Sequence, residues 1–136
     1  MAHKLILDTH ALVWYLEGNA RLGGQAKAAM TNIESEMVLP LIALAEAAFL
    51  IEKGRIGIPS ISDLLSDVEN DDRIEVQPLT VAVFERSLTP EGLRIPELHD
   101  RFIVSTGLVL QDLGNTVSIL TKDGKITSSG VLPVIW

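Results

Sequence analysis

Short apolar runs recur along this chain, and stretches with helical periodicity fill the gaps between them. Residues 4–7, 37–39, 74–76, 117–120 and 133–135 read as strands. Residues 11–17, 25–33, 41–53, 60–68, 80–87 and 98–113 carry apolar side chains at helical spacing. Thr9 and Ser60 stand where N-caps are expected, and Gly18, Gly54 and Gly114 where helices stop. A strand as uniformly apolar as Leu5-Ile6-Leu7 is covered on both faces, and strands separated by helices pair in parallel. The expectation is an α/β protein of three layers, α/β/α, around a central, mostly parallel sheet of four to five strands. With 136 residues and no repeat, linker or low-complexity tract, residues 1–136 read as a single domain with room for a real core.

Composition removes several functions. Cysteine is absent, so disulfides and thiolate metal sites are excluded. After Met1-Ala2-His3-Lys4 only three apolar residues precede Asp8, too few for a signal peptide or a membrane span. A cytoplasmic protein with no membrane partner is the expectation. The formal net charge of −7 speaks against a protein that works through phosphate contacts alone. It speaks less against an enzyme built on carboxylates, because a bound cation inverts the local field.

In parallel sheets the working site lies at the carboxyl ends of the strands. Asp8 follows the first strand directly, although a helix-capping carboxylate would stand there too. Glu46 shares a helix face with Ile42 and Phe49, in a segment apolar nearly all round. That helix is expected to be well buried, where an ionised carboxylate is costly unless paired or bound to metal. Asp100 stands in the first turn of the 98–113 helix, where the dipole alone would favour it. Asp123 lies just beyond the 117–120 strand, in an Asp-Gly pair that also suits a turn. Each acid has a structural explanation when taken alone. As a set they define a carboxylate group suited to a hard cation, with magnesium foremost. Such a cation orients water and stabilises charge on a phosphodiester. Arg101 and Lys122, beside two of these acids, read as surface residues or as phosphate contacts.

Other features point less far. His3, His10 and His99 lack the spacing of a helical zinc motif; His10 and His99 are expected near the cleft in hydrogen-bonding roles. Asp67, Glu69, Asp71 and Asp72 read as a solvated helix end. Trp14 and Tyr15 sit in an apolar helix and read as core or dimer packing rather than as stacking platforms for bases.

Read together, the segments resemble the PIN-domain family, and within it the VapC-type toxins of toxin–antitoxin pairs. The opening Leu5-Ile6-Leu7-Asp8-Thr9-His10-Ala11-Leu12 is similar to the family's first motif. Glu46 falls at the helical glutamate. Ile95-Pro96-Glu97-Leu98-His99-Asp100-Arg101-Phe102-Ile103 resembles the third motif, and Ile119-Leu120-Thr121-Lys122-Asp123 the fourth. The likeness spans essentially the whole chain in order. It implies a PIN-like sheet flanked by helices and a magnesium- or manganese-dependent endoribonuclease. Asp8 and Asp100 would be the principal metal ligands, completed by Glu46 and Asp123, with Thr9 and Thr121 in support. It also implies an RNA substrate, a homodimer and a cognate antitoxin protein. The sequence departs from the family at Leu44 and Ala45, where a serine is frequent, and at Ser105-Thr106-Gly107, where alanines are.

Two other functions compete. A receiver-like signalling domain would also hold magnesium in a parallel fold, but it needs an acidic pair early in the chain and Asp8 has no acidic neighbour. A PIN-like fold serving only as a binding module remains the alternative.

Overall fold

The computed structural model describes residues 3–136. The chain runs β1 (His3–Leu7), α1 (Thr9–Glu17), α2 (Gly24–Thr31), β2 (Glu36–Pro40), α3 (Leu41–Glu52), α4 (Ile61–Glu69), β3 (Ile74–Gln77) and α5 (Val81–Ser87). A 3-10 turn (Gly92–Arg94) leads into α6 (Leu98–Asp112), β4 (Thr116–Leu120), α7 (Gly124–Ser129) and β5 (Val134–Ile135). The strands form one sheet in the order β3-β2-β1-β4-β5, with every neighbouring pair parallel. Helices flank the sheet, giving the expected α/β/α layering.

The strand order explains where a site can form. From β1 the chain winds outward through β2 to β3, then returns to lay β4 along the other side of β1. The winding reverses there, which opens a crevice beyond the carboxyl ends of β1 and β4. Leu7 pairs with Leu120 in register. Asp8 and Thr121 therefore emerge side by side, and the Asp8 amide donates to the Leu120 carbonyl at 3.2 Å.

The central strands are as buried as their composition demands. Ile6, Leu7, Leu39, Ile119 and Leu120 are wholly enclosed, as expected when helices cover both faces of a sheet. Gly107 lets α6 lie directly on that sheet. A Cβ at this position would stand 2.7 Å from Leu132 Cδ1 and 3.1 Å from Ile6 Cγ1. The glycine weakens the helix locally and allows the close approach.

Several local expectations are corrected. Helix α1 begins at Thr9, and Asp8 is its N-cap. Helix α2 stops at Thr31, and Ile33 beyond it is 83 % exposed. Helix α3 is not well buried: Ala43 and Ala47 are enclosed, whereas Leu41 and Phe49 are 45 % and 52 % exposed. Its apolar residues run all round, but only one side meets the body of the protein. Helix α7 was not anticipated. In the acidic run, α4 ends at Glu69, while Asp71 pairs with Arg73 at 3.1 Å. The Arg73 guanidinium also donates to the Met30 and Asn32 carbonyls at the end of α2 and to the Tyr15 hydroxyl. Burial works to raise the Asp71 pKa, but the hydrogen bonds and charge of Arg73 outweigh it and hold the group below its ordinary value. No helix among the described residues is long and apolar enough to cross a membrane.

Candidate active site

Asp8 is buried at the point where β1 passes into α1. Both its oxygens are engaged. Oδ1 accepts from the Thr9 amide at 2.7 Å, and Oδ2 accepts from the Thr121 hydroxyl at 2.6 Å. Burial pushes its pKa above the ordinary carboxylate value, and these two hydrogen bonds pull back without cancelling it. Thr121 is itself enclosed, and its hydroxyl accepts from the Asp123 amide at 3.0 Å. One side chain thus ties the end of β1 to the loop after β4.

Glu46 projects from the middle of α3, half-buried. The Thr9 hydroxyl donates to its Oε1 at 3.0 Å. Burial raises its pKa first; the Thr9 hydrogen bond and His99 oppose this, and the charges of Asp8 and Glu97 add to it.

Asp100 differs from the others. The N-cap of α6 is Glu97, which accepts from the Asp100 amide at 2.7 Å. The helix start is therefore capped by another residue. The carboxylate of Asp100 has no hydrogen-bond partner among the described residues. Burial, followed by the charges of Asp8, Glu97, Asp123 and Glu46, lifts its pKa to about 7. Glu97 moves the other way. Burial would raise it, but hydrogen bonds from the Asp100 and His99 amides and the His99 ring prevail and lower it.

Asp123 is the N-cap of α7, with Oδ1 accepting from the amides of Lys125 and Ile126 at 2.7 and 3.2 Å. The same residue that ends the β4 loop begins this short helix.

These groups share one cleft of about 790 Å³. Asp8, Glu46, Asp100 and Asp123 all line it, with Thr9 and Lys122. Thr121 stands behind the wall, holding Asp8. His10 and His99 also border the cleft, and the His99 ring is hydrogen-bonded to Glu97 at 2.8 Å. Arg101 is not among the lining residues. Its guanidinium is tied down by the Ile95 carbonyl at 2.8 Å. Sequence reasoning missed Glu97, a further carboxylate of the cleft, although its place three residues before Asp100 is that of a helix cap. Trp14, read as packing, does pack against the core, and it also forms part of the cleft wall.

The lining carboxylates are hard oxygen donors, and the unpartnered Asp100 among like charges matches the chemistry of a hard divalent cation. Among the described residues, no three carboxylate or imidazole groups are gathered tightly enough to hold one ion as they stand. The donors therefore fit such an ion by chemistry, with closer approach needed on binding.

Residues 5–111 match the family model of the PIN domain. The fold is similar to that of a chain in a structure described as a toxin–antitoxin complex from Klebsiella pneumoniae. The TM-score is 0.67, with 18 % sequence identity, over 100 % of this chain and 97 % of that one. No curated protein matches the sequence significantly.

Proposed function

The chain belongs to the PIN domain family, and on that premise we propose that it is a cytoplasmic, magnesium-dependent endoribonuclease, the toxin of a toxin–antitoxin pair. Manganese would substitute for magnesium. The observation that carries this reading is that Asp8, Glu46, Asp100 and Asp123 line one cleft beyond the carboxyl ends of the strands.

Asp8 and Asp100 would be the principal holders of the cation, with Glu46 and Asp123 completing the set directly or through water. A divalent ion bound there supplies an activated water and offsets charge on the phosphodiester during hydrolysis. The protein's own groups orient the acids. Thr121 and the Thr9 amide fix both oxygens of Asp8. The Thr9 hydroxyl steers one oxygen of Glu46 and leaves the other for water. Lys122, exposed at the mouth, would meet phosphate.

Two protein partners belong to the same proposal. Similarity of fold to a chain from a toxin–antitoxin complex supports a cognate antitoxin. The exposed face of α5 supports a homodimer: Val81, Phe84 and Leu88 are 71 %, 50 % and 53 % exposed at helical spacing. Apolar side chains grouped in this way mark association surfaces.

The decisive test is cleavage of a mixed, labelled RNA pool with magnesium, manganese or EDTA, comparing the unmodified chain with Asp8→Asn and Asp100→Asn. Metal-dependent cleavage lost in both variants is expected. Full activity in either variant would remove that residue from the machinery. A folded protein that neither cleaves nor binds magnesium would be a binding module.

A further inference from the structure

Trp14 stands between two cavities. One is the acidic cleft; the other, of about 430 Å³, is also lined by Arg21 and Arg55. Both arginines are exposed, and neither takes part in an ion pair among the described residues. The one acid on that second cavity, Glu17, is already engaged by the Gly57 amide and the Asn19 side chain. Around the partly buried indole, the His10 ring lies 5.2 Å away and the Trp136 ring 5.9 Å away, both tilted. The Lys122 ammonium rests over the indole at 5.5 Å.

These placements answer a difficulty raised by the charge. A chain of net charge −7, with five carboxylates in its cleft, holds RNA poorly by overall attraction. Stacking of a base on an aromatic face does not depend on net charge, and every base offers such a face. It is also stronger than an exposed lysine's hold on the same ring. An exposed lysine is free to swing aside to a phosphate.

We propose that Trp14 is the base-stacking platform of a single-stranded RNA track running from the acidic cleft to Arg21 and Arg55. A base displaces Lys122 from the indole face, Lys122 turns to the backbone, and the next phosphates meet the two arginines. This rests on the ribonuclease reading and specifies how that site holds its substrate.

The test measures binding of a labelled single-stranded oligoribonucleotide in magnesium, in an Asp100→Asn background so that turnover does not intervene. Trp14→Leu should weaken binding about 5- to 150-fold, the range of stacking on one aromatic side chain, while Trp14→Phe keeps most of it. Arg21→Ala and Arg55→Ala should each lower the slope of log affinity against log salt by roughly 0.7. The first step of a second arm uses the unchanged indole. RNAs with single abasic sites should include one position where loss of the base weakens binding, and Trp14→Leu should abolish that position's effect. Unchanged affinity in Trp14→Leu, or no abasic position that matters, would overturn the proposal even if the unmodified chain cleaves RNA. Trp14-dependent binding with no cleavage by the unmodified chain would uphold the track and defeat the nuclease.

Discussion

The hydroxyl of Thr121 lies 2.6 Å from Oδ2 of Asp8 and bridges residues 113 positions apart in sequence. The bond satisfies one oxygen of a buried carboxylate, and the Thr9 amide satisfies the other. Thr121→Val keeps the shape and removes the donor. Leaving a buried acceptor unmet costs about 1–3 kcal/mol, so urea unfolding of the metal-free variant should show a loss of that order. The Asp8 pKa should rise further, and the acidic limb of the cleavage profile should move to higher pH.

Asp100 gives the metal-free protein a pH signature. Its folded pKa of about 7 lies above the ordinary 3.8. Between those values the folded state binds the extra proton, so stability falls as pH rises. Below the lower value the group contributes nothing; above the upper one the full penalty is present. In EDTA, the melting temperature difference between pH 5 and pH 8 should therefore shrink in Asp100→Asn. Magnesium should raise the melting temperature more at pH 8 than at pH 5, because at the lower pH it must displace a proton.

Ser105 is fully buried in α6, and its hydroxyl has no hydrogen-bond partner. Ser105→Ala removes an unmet polar group and improves helix propensity. Thermal unfolding should show a gain of about 1 kcal/mol, with cleavage unchanged. A loss of stability would mean that the hydroxyl has a partner.

Phe84, half exposed between Val81 and Leu88, offers a test of association. Phe84→Lys places a charge in the middle of that face. If it is the dimer contact, light scattering should report the monomer mass for the variant and twice that mass for the unmodified chain.

The strands were legible because Leu5-Ile6-Leu7 is apolar without interruption and Val117–Leu120 is broken only by Ser118, as suits a sheet covered on both faces. The places of Asp8, Asp100 and Asp123 were legible, since strand ends and a helix start are visible as changes of periodicity; Glu46 was singled out by a burial of α3 that the fold gives only in part. What escaped had no periodic signal. Helix α7, Gly-Lys-Ile-Thr-Ser-Ser, buries only Ile126 and is defined by its Asp123 cap. The exposure of α3 also escaped, because composition does not say how many sides of an apolar helix find a partner. Trp14 does pack against the core, as read, but its place on the cleft wall left no mark in the sequence. Its indole lies near His10, one helical turn earlier, and near two residues far along the chain, Trp136 and Lys122.

The position of β4 carries a consequence for timing. The site needs β4 as well as β1, because Thr121 and Asp123 follow β4 and Asp8 waits for one of them. A nascent chain that has not reached residue 120 has the opening acid and the helical glutamate but not the brace that sets them. A stretch of 113 positions must therefore be added after Asp8 before that acid is braced, so the opening acid cannot be set by its own neighbourhood in the chain.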